Sequence, residues 1–300
     1  MPKVAVQHFF DPATSTLTYV ASDPASGTCV VIDPVLDLDY ASGTISTRSA
    51  DEVIEYIRGQ QLRLELILET HIHADHLSSA PYLQKQLGGQ IGIGSHITTI
   101  QNTFAEIFDE NEGFRRDGSQ FDLILAEGDQ FHVGGLTGEA YHVPGHTPAC
   151  MAYQIGDALF VGDTLFMPDA GTARCDFPGG DARTLYESCK KLLSLPGETR
   201  VYVCHDYQPE GRALAFVSTV AEQRRDNIHV GGDISADEFV DMRETRDATL
   251  DMPTLILPSL QTNMRAGHLP PSNAAGRLFL RVPINAFGGA DMRSLAASES

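Results

Sequence analysis

Long apolar runs are missing from this chain of 300 residues. No segment approaches the roughly 18 consecutive apolar residues of a membrane-spanning helix, and the N-terminal apolar run is too short for a signal peptide. Positive charge is scarce, and a net charge of -19 argues against a nucleic-acid or anionic-membrane partner. The five cysteines show no CxxC spacing, as expected in a reducing compartment. We therefore expect a cytoplasmic protein without a membrane or nucleic-acid partner. The sequence does not fix the oligomeric state, and a homodimer is compatible with it.

Strand-like and helix-like segments occur in both halves of the chain, and its length allows a sizeable core. Three early segments rich in Val, Phe, Tyr and Thr are predicted strands: 4–10, 17–21 and 28–32. The run Ser49-Ala50-Asp51-Glu52 predicts a capping box that opens a helix. Asp181 is expected to cap a later helix, and Ser235 to open another through a second capping box. This order favours an α/β fold of four layers, with two sheets face to face and helices outside.

Imidazoles and one carboxylate are concentrated directly after the apolar run 64–68, which predicts a buried strand. His71, His73, Asp75 and His76 follow within six residues of one another. A strand that ends in a turn can direct several such side chains to one point. Nitrogen and oxygen donors at this density are typical of a zinc or iron site.

Three further residues of the same chemical types follow predicted strands elsewhere. His146 lies in a Pro-Gly-His turn, Asp163 in Gly-Asp-Thr, and His205 directly after the run 201–204. A lone histidine is more often a packing or surface residue. Seven ligand-type residues at strand ends together predict a metal centre on a rigid scaffold.

The order His71-x-His73-x-Asp75-His76, then His146, Asp163 and His205, resembles the metallo-β-lactamase superfamily over about residues 15–210. This resemblance implies an αββα sandwich with a metal site at one edge. We expect one domain over residues 1–300 with a C-terminal extension from about 210. The segments 70–76 and 162–166 are most similar to the glyoxalase II group. Segments 171–177, 204–207 and 255–261 look like its persulfide dioxygenase (sulfur dioxygenase) branch.

The metal and the reaction follow from the resemblance rather than from spacing. In the persulfide dioxygenase branch, residues matching His71, His146 and Asp163 bind one Fe(II) and form the catalytic site. His73, Asp75, His76 and His205 then surround those ligands. The implied reaction converts glutathione persulfide, O2 and water to sulfite and glutathione.

Two other readings of the same residues stay open. In a dinuclear zinc hydrolase of glutathione thioesters, His73 would join His71 and His146 at one ion. Asp75, His76 and His205 would hold the other ion, and Asp163 would bridge. A metal-binding protein without catalysis is the third reading. Structural zinc sites have no open coordination position, and the apparent open coordination of this ligand set argues against that reading.

Two residues are candidates to bind the glutathione part of the substrate. Arg174 could form a bidentate contact with a carboxylate, and Tyr207 could donate its hydroxyl to the peptide. Both match positions that line the glutathione pocket in the related group. The alternatives are an ion pair of Arg174 with Asp176 and a packing role for Tyr207. Asp33 is a candidate acceptor for a site histidine, and Arg265 is expected to be a surface charge.

Overall fold

The computed structural model describes residues 3–288, and fifteen strands lie within that range. They are β1 (Ala5–Asp11), β2 (Thr16–Asp23), β3 (Thr28–Ile32), β4 (Val35–Asp39), β5 (Thr44–Ser46), β6 (Arg63–Leu68), β7 (Leu77–Ser78), β8 (Gln90–Gly94), β9 (Leu123–Leu125), β10 (Gln130–Val133), β11 (Leu136–His142), β12 (Met151–Ile155), β13 (Ala158–Phe160), β14 (Arg200–Tyr202) and β15 (Val217–Thr219).

Seven α-helices connect or flank these strands in the described range. They are α1 (Arg48–Gly59), α2 (Ala80–Leu87), α3 (Ile97–Ile107), α4 (Ala182–Leu192), α5 (Val220–Asp226), α6 (Ala236–Asp247) and α7 (Ile256–Asn263). Within residues 3–288, none of them has both the length and the apolar character needed to cross a bilayer.

Two six-stranded sheets form the centre of the molecule. The first has the order β1-β2-β3-β6-β8-β9, and the second the order β10-β11-β12-β13-β14-β15. A small sheet, β5-β4-β7, lies beside the segment that follows β6. Helices α1 to α3 cover the outer side of the first sheet, and α4 to α6 pack with the second. The predicted four-layer α/β sandwich is confirmed.

Alternating side chains of β3 pack into two hydrophobic cores, one between the two sheets and one beneath the helices. Val30 and Ile32 face the second sheet, whereas Cys29 and Val31 face the helices. This follows from the two-residue period of a strand. All four side chains are buried, and burial of each Val or Ile side chain contributes about 1.5–3 kcal/mol. The sheet is thereby held rigidly from both sides.

The sequence predictions for the strands and later helix starts are confirmed within a residue or two, but the first capping box is wrong. Helix α1 begins at Arg48, so Ser49 lies inside it rather than at its cap. The Ser49 hydroxyl instead donates to Asp37 at 2.8 Å. Asp181 does cap α4, and Ser235 forms a complete capping box with Glu238. The short strands β4, β5, β7, β9, β10 and β15 and the helices α5 and α7 were not predicted.

The C-terminal part of the chain contributes to both halves of the fold. Strand β15 pairs with β14 at the edge of the second sheet, and α7 packs in the helix-side core of the first. We therefore propose that the described residues form one domain that includes the predicted extension. Residues 1–2 and 289–300 of the predicted domain lie outside the described range.

Candidate metal centre

The candidate ligands extend from the ends of strands in both sheets. β3 and β6 run parallel in the first sheet, as do β13 and β14 in the second. His71 follows β6, Asp163 follows β13 and His205 follows β14. Parallel neighbours present their carboxyl ends at the same edge, which is the usual position for a site in such sheets.

Close approach between the two sheets requires a glycine beside Asp163. Gly162 has a φ of +50°, and a Cβ there would lie 2.6 Å from the Thr70 hydroxyl. Only glycine allows both the backbone conformation and this contact. Gly162 thereby places Asp163 directly against the loop 70–76, which we call the histidine loop.

His71, His146 and Asp163 form one compact group of donor atoms. One ligand atom of each lies within 4.8 Å of the others, and all three residues are buried. His146 Nε2 is 3.6 Å from Asp163 Oδ2. The other ring nitrogens face away, because Nδ1 of His146 is 2.6 Å from the Arg174 carbonyl and Nδ1 of His71 is 3.0 Å from the Thr70 hydroxyl. Two imidazoles and one carboxylate are therefore directed at a common point.

His73, Asp75 and His76 form a second group with the same spacing. His205 joins the two groups, since its Nε2 is 3.3 Å from Asp163 Oδ1 and 3.5 Å from Asp75 Oδ2. Asp163 thus presents one carboxylate oxygen to each group. All seven residues predicted as ligands or as their neighbours converge on one centre.

Unsatisfied polar atoms show that this centre fits a cation. Four buried atoms of the seven residues in this centre have no hydrogen-bond partner among the described residues: His73 Nδ1, His76 Nε2, His205 Nε2 and Asp163 Oδ1. Buried polar atoms normally find partners, and a cluster of exceptions needs an explanation. Imidazole nitrogens and a carboxylate oxygen are suitable donors for zinc or iron.

The pKa shifts of three groups in the centre favour the forms that bind a cation, whereas nearby carboxylates outweigh burial and raise the pKa of His73 and His205. Burial raises the pKa of the Asp75 carboxyl, but His205 and His76 lower it further, so that it lies well below its usual value. The pKa of Asp163 is likewise lowered, because His205, His71 and His146 outweigh burial. Burial and the neighbouring His73 hold the pKa of His71 well below its usual value. Ionised carboxylates and a neutral imidazole are the forms that bind a metal ion.

Two buried carboxylates behind the centre orient His73. Asp33 Oδ1 is 2.9 Å and Glu69 Oε2 is 3.4 Å from Nε2 of His73. A proton on Nε2 leaves the lone pair of Nδ1 directed at the centre. Asp33 also accepts from the backbone N–H and the hydroxyl of Thr70 at 2.7 and 2.9 Å. The expected role of Asp33 as an acceptor for a site histidine is confirmed. Glu69 was not predicted as part of the site, although a charged residue directly after a buried strand could have indicated it.

A large cleft opens onto the centre. Its volume is about 1210 Å³, and its walls include Asp75, His146 and Asp163. Phe166 and Phe177 contribute apolar surface to it. Tyr207 lines the cleft with 57% of its surface exposed, and its ring stacks on His205 at a centroid distance of 5.7 Å.

Arg174 also lines the cleft, but most of its hydrogen-bond donors are occupied. Its Nε and Nη2 contact both oxygens of Asp176 at 2.6 and 2.7 Å, and Nη1 donates to the Asp251 carbonyl at 2.6 Å. A weaker contact joins Nη2 to the Leu250 carbonyl at 3.4 Å. A guanidinium has five N–H groups, so one on Nη1 remains. The expected bidentate contact with a substrate is therefore unavailable while Asp176 holds the side chain.

Arg265 is not the surface charge that was predicted. It is 6% exposed, pairs with Glu110 at 2.5 Å and lies over the Phe114 ring. Periodicity could not show this, because the partners come from a distant part of the chain.

Comparison with known proteins is consistent with this geometry. A family model described as the metallo-beta-lactamase superfamily matches residues 12–205. A probable metallo-hydrolase of Burkholderia pseudomallei is 53% identical over 94% of this chain and 100% of its own length. Glyoxylase B2 of Dictyostelium discoideum is 46% identical, with 94% of this chain and 98% of that protein covered.

A lower but extensive similarity joins the chain to persulfide dioxygenases. The mitochondrial persulfide dioxygenase ETHE1 of Mus musculus is 32% identical over 90% of this chain and 91% of its own length. The crystal structure of ETHE1 from Myxococcus xanthus superposes with a TM-score of 0.70 at 30% identity, covering 88% of this chain and all of that one.

Proposed function

Because this chain belongs to the metallo-beta-lactamase superfamily and is an enzyme of that group, we propose that it is a persulfide dioxygenase. In this proposal it converts glutathione persulfide, O2 and water to sulfite and glutathione with one Fe(II) per chain. The observation that carries the proposal is the group His71, His146 and Asp163 at the wall of the cleft. The similarity to ETHE1 persulfide dioxygenases over nine-tenths of the chain supports it.

The donor set fits iron of the type proposed. Two histidines and one carboxylate on one face are typical of non-haem Fe(II) oxygenases, because they leave other coordination positions open. When bound, such an iron supplies the redox chemistry with O2. The protein holds the ion through His71, His146 and Asp163. The Arg174 carbonyl and the Thr70 hydroxyl fix the two imidazole rings in orientation.

The cleft provides the remaining requirements for a glutathione-like substrate. Phe166 and Phe177 provide apolar surface beside His205 and His146, where a sulfur atom would be placed. Tyr207 can donate its hydroxyl to the peptide part. Arg174 can offer its one free Nη1 hydrogen, which supports a single hydrogen bond rather than a fork. Five free, buried cysteines fit the cytoplasmic location that we also propose.

A dinuclear zinc hydrolase of glutathione thioesters is the second candidate, and one observation favours it. The unpartnered nitrogens of His73, His76 and His205 are potential ligands for a second ion. A single iron does not require them. Asp163, with one oxygen toward each group, could bridge two ions. The 53% identical relative from Burkholderia pseudomallei is named a probable metallo-hydrolase, which agrees with this alternative.

Activity on two substrates separates the candidates. The purified protein should consume O2 and release sulfite when supplied with glutathione persulfide. Metal analysis of protein expressed without added metal should find about one iron per chain. Rapid hydrolysis of S-lactoylglutathione without O2 uptake, together with two zinc ions per chain, would instead establish the hydrolase.

A further inference from the structure

Asn263, at the end of α7, is bonded to the histidine loop from the distant C-terminal part of the chain. Its Nδ2 donates to the carbonyls of His73 and His76 at 2.9 and 2.8 Å. Its Oδ1 accepts from the Ser78 N–H at 2.8 Å. One amide therefore binds the segment that carries His73, Asp75 and His76 through both donor hydrogens, and β7 directly after it through its acceptor.

These bonds satisfy backbone groups that regular structure cannot. His73 and His76 lie outside every strand and helix, and both are fully buried. A buried carbonyl needs a donor, because the free energy of leaving it unpaired is comparable to that of a lost hydrogen bond. Asn263 is itself only 3% exposed, so water does not compete for its amide.

Contacts outside the histidine loop also fix the position of Asn263, although the core beneath α7 includes Ile72 and Ala74 of that loop. Ile256 and Leu260 of α7, and Met264 directly after it, pack in the helix-side core. Gln101 of α3 donates to the Met264 carbonyl at 3.0 Å. The amide is thus a rigid point against which the histidine loop is held.

A path of polar contacts continues from this point toward His73. Ser78, whose N–H is bound by Asn263, donates its hydroxyl to Oε1 of Glu69. The other oxygen of Glu69 lies 3.4 Å from Nε2 of His73. Asn263 therefore acts on the loop through its backbone and, through Ser78 and Glu69, on one imidazole ring.

We propose that Asn263 is a positioning residue of the metal centre, and that α7 is part of the metal-binding apparatus. Its amide fixes the backbone from which His73, Asp75 and His76 extend. This inference rests on the proposed function only through the bound ion. It does not depend on which ion is present or which reaction is catalysed.

Gln261 offers a matched control on the same helix. Its Nε2 donates to the carbonyls of Leu257 and Arg281 at 2.8 and 2.9 Å, and its Oε1 accepts from the Arg281 N–H at 2.8 Å. It is 1% exposed. The pattern of two donated bonds and one accepted bond equals that of Asn263, but its partners lie in α7 and the C-terminal tail rather than in the histidine loop.

The experiment compares metal release by full-length, metal-loaded Asn263→Asp, Asn263→Ser and Gln261→Glu proteins. Asn263→Asp keeps the shape of the side chain but replaces the donors with acceptors, whereas Asn263→Ser is a milder change. The rate of transfer of the ion to an excess of a coloured chelator is measured beside the melting temperature. The visible spectrum of the cobalt-substituted proteins reports the geometry of the site.

We expect both Asn263 variants to release metal roughly tenfold to a hundredfold faster than wild type, as for other residues that orient ligands. Their cobalt spectra should shift. Gln261→Glu should match wild type in both measurements even if it melts at a lower temperature.

The proposal would be overturned if the Asn263 variants showed the same metal release and cobalt spectra as Gln261→Glu. Failure of both Asn263 variants to fold with metal bound, while Gln261→Glu folds, would overturn it too, since the role would then be structural. If S-lactoylglutathione proves to be the substrate, the same assay is run with zinc.

Discussion

Removal of Asp75 or His205 tests how many ions the centre holds. Asp75 Oδ2 lies 3.5 Å from His205 Nε2 and 3.3 Å from His76 Nδ1, and it is not part of the group His71, His146 and Asp163. With one iron in that group, Asp75 and His205 only orient ligands and nearby water. With two zinc ions, both are direct ligands.

The expected magnitudes differ between these cases. Loss of a residue that orients ligands lowers metal affinity about tenfold to a hundredfold, or about 1.4–2.7 kcal/mol. Asp75→Ala and His205→Ala should therefore retain close to one iron per chain. His71→Ala should lose it, because only His146 and Asp163 remain of the group.

The assay is metal per chain by elemental analysis of the three variants and wild type after identical dialysis, with circular dichroism to confirm folding. Iron retained in Asp75→Ala and His205→Ala but lost in His71→Ala supports the single-iron centre. A fall from two ions to one in either Asp75→Ala or His205→Ala would refute it and establish the dinuclear alternative.

Two further predictions concern the cleft. Arg174→Ala should lower the free energy of unfolding by about 2 kcal/mol, because Asp176 loses a charge-assisted pair that is only partly screened by water. Its kcat/KM should fall less than tenfold; unchanged stability with a larger kinetic loss would assign the guanidinium to substrate instead. Burial and the nearby arginines lower the pKa of His229 to about 4. The unfolded chain binds that proton below about pH 6.5, so stability should fall by up to about 3 kcal/mol between pH 6.5 and 4. His229→Asn, which can still accept from the Thr172 N–H, should show a smaller fall in urea titrations, and an identical pH profile would contradict this.

The ligand-type residues were predictable because their signals are local. Each follows an apolar run that forms a strand, and the short, rigid strand ends leave few directions for the side chain. His71 and Asp163 could thus be placed at strand ends without knowledge of the fold. Their joint role came from a resemblance in the order of residues along the chain.

The contacts of charged side chains were less predictable. Arg174 and Asp176 are neighbours in sequence, and their ion pair was one of two alternatives. Arg265, by contrast, pairs with Glu110, which is 155 positions earlier in the chain. No local pattern distinguishes an arginine that finds such a partner from one that faces water.

The sequence by itself determined the longer strands, the starts of α4 and α6 and the set of residues offered to a metal, because these depend on neighbours a few positions apart. Only the tertiary structure decided what lies behind that set. It brought Glu69 to the back of His73 and directed the Asn263 amide to the histidine loop across 190 positions of sequence. The fold also places Asp176 and the Asp251 carbonyl where they accept hydrogen bonds from Arg174. These outcomes depend on the packing of α7 and the two sheets, since burial leaves each polar atom to find its partner among whichever residues the fold brings near.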